Sequence, residues 1–202
     1  MKQLRVITLI CAFAIVVPGT GVLLYAQESA DDGRVLVPNR VYETRTVVRK
    51  STIPNAGNGL FAAVEIARGE VIGELGGRLT LTDELPEGNG YLAAIAECAW
   101  EKSHPYTHID SKEGGGHVSR INFAPSEING IETNFQNAAI RQLCEPPYVV
   151  FVATREIEPG TEIWASYGPS YDYDRFMLLP EVRDFFCGLL AIDCHEAYSY
   201  HH

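Results

Sequence analysis

Between residues 156 and 173 a Pro159-Gly160 pair interrupts two short runs in which apolar and polar residues alternate. The second run, from Ile163, ends on Tyr167-Gly168. A period of two puts successive side chains on opposite faces of a strand, and a Pro-Gly pair turns or corners the chain. Such punctuation recurs upstream. Residues 41–50 read as a strand because Val41, Thr44, Thr46, Val47 and Val48 are mostly β-branched. A loop of turn formers follows over 51–59, then a strand at 60–64, a turn at 67–70 and a strand at 71–75 closed by Gly76-Gly77. Residues 80–90 are loop-like. Tyr91 to Trp100 is the best helix candidate, on its alanine-rich spacing.

Tyr106 to Asp110 reads as a short strand and Gly114-Gly115-Gly116 as a turn. Residues 119–137 carry neither period, contain Pro125, Gly130, Asn122, Asn129, Asn134 and Asn137, and are expected to form an ordered loop. Pro146 to Ala153 is a buried strand, and the apolar stretch 176–190 a closing helix. Many short strands with few helices imply a mostly β fold.

The chain has 16 basic and 26 acidic residues, a net charge of −10. That balance argues against binding nucleic acid through a general basic face, and an acidic surface suits a basic protein or peptide partner. The N-terminus stands apart. Lys2 and Arg5 precede an uncharged apolar stretch over residues 6–26, long enough for a membrane helix of roughly 20 residues but broken by Pro18-Gly19-Thr20-Gly21. Residues 1–26 are therefore read as a signal peptide or a retained N-terminal anchor, which makes the body secreted, exported or membrane-anchored. Residues 27–45 form a linker or arm. Cys98, Cys144, Cys187 and Cys194 of the body allow two disulfides in three pairings. Cys187, Cys194 and His195 also offer metal donors, but they contain no C-x-x-C pair, and no metal site is assigned.

Four segments together resemble the SET-domain family. Gly57-Asn58-Gly59-Leu60-Phe61-Ala62 resembles its opening G-x-G-L-F-A loop. Ile66 to Gly77 resembles the I-x-x-G-E-x-I-x-E-Y-x-G element. Tyr106 to Asp110, followed by Gly116 to Asn122, resembles the tyrosine strand and the R-F-I-N-H-S segment. Glu158 to Gly168 resembles the G-E-E-L-x-x-D-Y-G element. Each motif alone is weak, but four in order are specific. The resemblance spans residues 46–177, with a helical tail at 178–202. Phe123 and Ala124 stand where the family has histidine and serine.

The resemblance implies a β-clip of small curved sheets with a C-terminal pseudoknot. It also implies a protein-lysine methyltransferase that uses S-adenosylmethionine as methyl donor and a lysine-bearing, basic protein or peptide as substrate. Under it, Tyr167 and Tyr106 are the catalytic tyrosines. Gly57, Asn58, Gly59, Arg120, Asn122, Phe123 and Asn137 hold the cofactor, with the glycines letting backbone approach closely and Phe123 stacking in place of the histidine. Tyr171, Tyr173 and Phe176 wall the substrate channel, where aromatic faces accept a methylammonium. The alternative is a catalytically inactive SET-like domain that binds a peptide or ligand. A third class, a hydrolase pairing Cys144 with His104, His108 or His117, has no local signature.

Overall fold

The structure is a computed structural model and describes residues 34–85, 88–96, 104–169, 171–194 and 198–202. The apolar N-terminal segment, Cys98 and His195 lie outside the described residues. Among the described residues no helix is long and apolar enough to cross a membrane.

The architecture is mostly β, as expected. Its strands are β1 (Val35–Leu36), β2 (Thr46–Lys50), β3 (Asn58–Ala62), β4 (Val71–Glu74), β5 (Gly77–Thr80), β6 (Leu92–Ala94) and β7 (His108–Asp110). After them come β8 (Asn122–Phe123), β9 (Glu127–Ile128), β10 (Ile131–Glu132), β11 (Ala138–Gln142), β12 (Val149–Ala153), β13 (Glu162–Ala165) and β14 (Tyr200–His201). Helices are short: α1 (Arg40–Glu43), α2 (Asp174–Met177) and α3 (Pro180–Leu189). The strands form small sheets ordered β1-β5-β7-β6, β10-β9-β14, β11-β12-β4 and β2-β3-β13-β8.

The last of these sheets positions the site. β13 lies between β3, to which it is antiparallel, and β8, to which it is parallel. A late strand is thus inserted between two earlier ones. It also separates two cores. Ile163 and Ala165 face a cluster with Leu60, Ile72, Ile109 and Phe151. Trp164, one residue out of phase, packs on a second cluster of Phe123, Ile128, Tyr173, Met177 and Phe186. The period-two alternation of 163–165 therefore serves two interiors rather than one interior and solvent.

Several local expectations are corrected. The described part of 91–100 is strand β6, paired to β7 with Leu92 opposite Asp110 and Ala94 opposite His108. The helix preference of alanine, worth a few tenths of a kcal/mol per residue, yields to ladder hydrogen bonds at a sheet edge. Val41 begins in α1 rather than a strand because the Asn39 side chain accepts from the Val41 N–H at 3.1 Å and caps a helical turn. The loop expected over 119–137 holds β8 and a β9–β10 hairpin. Its Asn129-Gly130 turn has both residues at positive φ, 51° and 77°, as a tight hairpin requires. The closing helix is two helices, because Pro180 starts α3 at its first turn and cannot continue α2. The arm is ordered in part, since β1 pairs with β5.

Candidate active site

The densest polar junction in the described chain is built on Glu162, only 6% exposed at the start of β13. Its carboxylate accepts from Ser51 Oγ at 2.6 Å, the Thr52 N–H at 2.8 Å, Thr52 Oγ1 at 2.5 Å and Asn122 Nδ2 at 3.3 Å. One side chain so ties the loop before β3 to β8. Gly59 is required by this arrangement. A Cβ there would overlap the carboxylate oxygen and stand 2.9 Å from its carbon. The glycine expected to admit a cofactor therefore admits Glu162.

Asn122 also donates to the Asn58 carbonyl at 3.1 Å. Both groups facing its Nδ2 are acceptors, which fixes the orientation of the amide. Its Oδ1 then points away from them and accepts no hydrogen bond within the described residues. Gly57 sits at φ +72°, and a Cβ on it would meet nothing within 4 Å. With the exposed Asn58 it leaves the turn open on that side. Asn137 differs. It is 2% exposed, donates through Nδ2 to the Glu162 carbonyl at 2.9 Å and accepts from the Trp164 N–H at 2.9 Å. Its amide holds β13 in place, and its burial withdraws the rest of the group from solvent. Phe123 is 2% exposed, with its ring 4.1 Å from Tyr173 and 6.1 Å from Phe176, centroid to centroid. The ring is core and cannot stack on a nucleobase, so the stacking role expected for it is not borne by its side chain.

Tyr167 follows β13. Its hydroxyl donates to the Ile121 carbonyl at 2.5 Å, next to Asn122. Its backbone N–H donates to Tyr173 Oη at 2.9 Å, and Tyr173 Oη donates in turn to the Gly168 carbonyl at 2.9 Å. Gly168 sits at φ +90°, a conformation that favours glycine. Tyr173 thus clamps the turn that aims Tyr167, and at 3% exposure it is a core residue rather than an open channel wall. Tyr171 is more open. It is half-buried and meets Tyr167 edge-on at 4.8 Å and Phe176 at 6.3 Å.

The second expected tyrosine is elsewhere. Tyr106 packs on the first core, stacked 5.6 Å from His104 with the Arg34 guanidinium 5.6 Å from its centroid. Tyr91, at the start of the decamer expected to be helical, comes to the site instead. Its hydroxyl accepts from Arg120 Nη1 at 3.3 Å, the guanidinium lies 5.7 Å from its ring, and it acts electrostatically on the Tyr167 and Tyr171 hydroxyls. The available signal was the Asn89-Gly90-Tyr91 turn. The Asn89 side chain accepts from the Tyr91 N–H at 3.0 Å.

Burial pushes Tyr167 and several of its neighbours above the ordinary tyrosine pKa of about 10. For Tyr167 the loss of solvent acts first and its tyrosine neighbours add to it. Tyr171, Tyr173 and Tyr200 move in the same direction for the same leading cause, and Tyr198 is pushed up to about 12. A raised folded pKa contributes stability that is complete below the unfolded value and is lost as pH climbs through the folded one. Denaturation midpoints are expected to hold up to about pH 10 and to fall steadily above it. A flat profile to about pH 11.5 would contradict the enclosure described.

Cys187 and Cys194 form a disulfide that closes the segment after α3, which joins the sulfurs a metal would need. Cys144 is disulfide-bonded as well and offers no thiol nucleophile, so the hydrolase reading fails.

The family model of the SET domain matches residues 57–168. Similar solved structures include the methyltransferase domain of human PR domain-containing protein 2, at 17% identity and a TM-score of 0.48, covering 64% of this chain and 81% of that one. ATXR5 in complex with histone H3.1 is similar at 17% identity and a TM-score of 0.51, over 65% of this chain and 62% of that one. The Chaetomium thermophilum polycomb repressive complex 2 is similar at 24% identity and a TM-score of 0.48, over 63% of this chain and 16% of that one. At these identities the likeness is one of fold. No curated protein matches the chain by sequence.

Proposed function

The chain belongs to the SET-domain family, and from that premise we propose that it is a protein-lysine N-methyltransferase using S-adenosylmethionine. One observation carries the proposal. Tyr167 is hydrogen-bonded to the residue beside Asn122, so the tyrosine suited to the methyl and the amide suited to the cofactor meet across two adjacent positions at the start of β8.

Bound S-adenosylmethionine supplies an electrophilic methyl on a cationic sulfur. The donor set fits it. Asn122 Oδ1 is an uncommitted acceptor for its ammonium, Arg120 a cation for its carboxylate, and the 57–58 turn an open backbone surface. A lysine substrate must arrive neutral, although its solution pKa is about 10.4. The aromatic surroundings of Tyr171 and Phe176 disfavour its charged form. The Tyr167 hydroxyl stays protonated, spends its hydrogen on Ile121 and leaves its oxygen lone pairs for C–H···O contacts to the methyl. Alignment supplies much of the rate in an in-line displacement. The disulfide bonding supports export of the body to an oxidising compartment.

The enclosed ring of Phe123 and the committed amide of Asn137 favour a second reading, a SET-like binding domain without catalysis. Calorimetric titration with S-adenosylmethionine separates the two. Micromolar binding, weakened about tenfold or more in Asn122→Ala, is expected. No binding at millimolar cofactor in a folded sample leaves the second reading standing.

A further inference from the structure

Beyond α3 the chain returns as β14, antiparallel to β9, and lays a second row of tyrosines opposite the first. Tyr198 and Tyr200 are two apart, so the alternation of an extended chain puts them on one side, their centroids 5.9 Å apart. They face Tyr171, Asp172 and Asp174 across a cavity of about 400 Å³. The cleft is open to solvent over much of its extent, which suits a side chain of a bound peptide rather than an enclosed small molecule. Tyr200 Oη donates to Asp174, which fixes that carboxylate at the mouth. His202, itself exposed, stacks on Tyr173 at 4.4 Å and lines the same cavity.

Two features point to an occupant. Aromatic faces combined with carboxylates attract a cation that either group alone would hold weakly. The Tyr198 hydroxyl is withdrawn from water without a partner among the described residues. With its pKa pushed up to about 12, it remains a proton donor suited to a peptide carbonyl. The cations acting on the cleft are Arg175, which acts on Tyr171, and Arg183, which acts on Tyr198 but is already paired with Asp184 at 3.0 Å. Tyr171 is shared: one side meets Tyr167, and the other lines this cavity.

We propose that this cleft binds an arginine or lysine side chain that flanks the target lysine of the substrate, making a basic neighbour a requirement of recognition. The position of the target lysine rests on the methyl-transfer reading; the chemistry of the cleft does not. The test uses two acetylated heptapeptides of glycine and serine with a central lysine. One has arginine two residues to either side, and the other has the neutral isostere citrulline there. Calorimetry on the whole chain is expected to show about tenfold tighter binding of the arginine peptide. In Asp172→Asn/Asp174→Asn that difference disappears, while affinity for the citrulline peptide stays within about twofold, which reports an intact fold. Tyr198→Leu is expected to weaken both peptides.

Equal binding of the two peptides by the wild type overturns the inference. So does a difference that survives in the double variant, or no binding of either peptide at millimolar concentration. If S-adenosylmethionine fails to bind while the arginine preference and its loss in the double variant are seen, the methyl-transfer reading falls and the cleft stands. If the cofactor binds and the preference is absent, the cleft falls alone.

Discussion

Tyr167→Phe is expected to lower the rate of methyl transfer by about two to three orders of magnitude, the usual cost of removing one pre-aligned polar group from a reacting centre. The ring remains, so its edge contact with Tyr171 at 4.8 Å is kept. What goes is an oxygen whose hydrogen is fixed on the Ile121 carbonyl and whose ionisation burial opposes. Phenylalanine therefore removes the oxygen proposed to contact the methyl and leaves the Ile121 carbonyl without that donor, a loss of about 1 kcal/mol in stability. Single-turnover rates with a basic peptide would fall, while cofactor affinity would change less than about threefold. A variant that keeps wild-type turnover would remove Tyr167 from the chemistry. One that loses cofactor binding in parallel would make it a scaffold residue.

Glu162→Ala is the second large effect, and it bears on stability. Ser51, Thr52 and Asn122 all direct donors at a carboxylate that is 6% exposed. Alanine removes the acceptor and leaves those donors to whatever water can enter. Each donor left without an acceptor costs about 1–3 kcal/mol, so several together cost about 3–5 kcal/mol. That is a large share of a typical domain's roughly 5–15 kcal/mol. The contact of Glu127 with the exposed His201, at 3.4 Å, provides the comparison. Glu127→Ala is expected to cost less than about 1 kcal/mol. Urea denaturation of both variants decides the matter, and a loss below about 1 kcal/mol for Glu162→Ala would mean that water replaces the carboxylate well.

Much of this could be read from the chain, and the failures share a cause. The strand at 71–75 and the buried one at 146–153 were legible because their apolar patterns are local. So was the turn at Tyr167-Gly168, whose glycine sits at φ +90°. The β9–β10 hairpin was missed: Asn129-Gly130 signals a tight turn, but the lack of periodicity on either side hid the strands. Tyr91 was misplaced because an alanine-rich decamer carries a helical preference that only its pairing with β7 overrides. Phe123 and Asn137 were assigned to the cofactor, whereas the Phe123 ring packs in the core and the Asn137 amide bonds to the backbone of β13. A buried ring and an amide bonded to buried backbone look the same in sequence as a ring and an amide held ready for a ligand.

The amino-acid sequence alone determined the β-rich class, the corners where glycine must adopt a positive φ, and the ordered motifs that mark the family. These rest on backbone sterics and short-range periodicity, which act within a few residues. The tertiary structure decided which tyrosine stands beside Tyr167, that Gly59 makes room for Glu162, and that the segment after α3 builds the far wall of a cleft. Each depends on partners far apart along the chain: Thr52 and Glu162 are 110 positions apart, and Tyr200 and Asp174 are 26 apart. A hydrogen bond over such a span forms only after packing has brought the strands together, so no local preference encodes it.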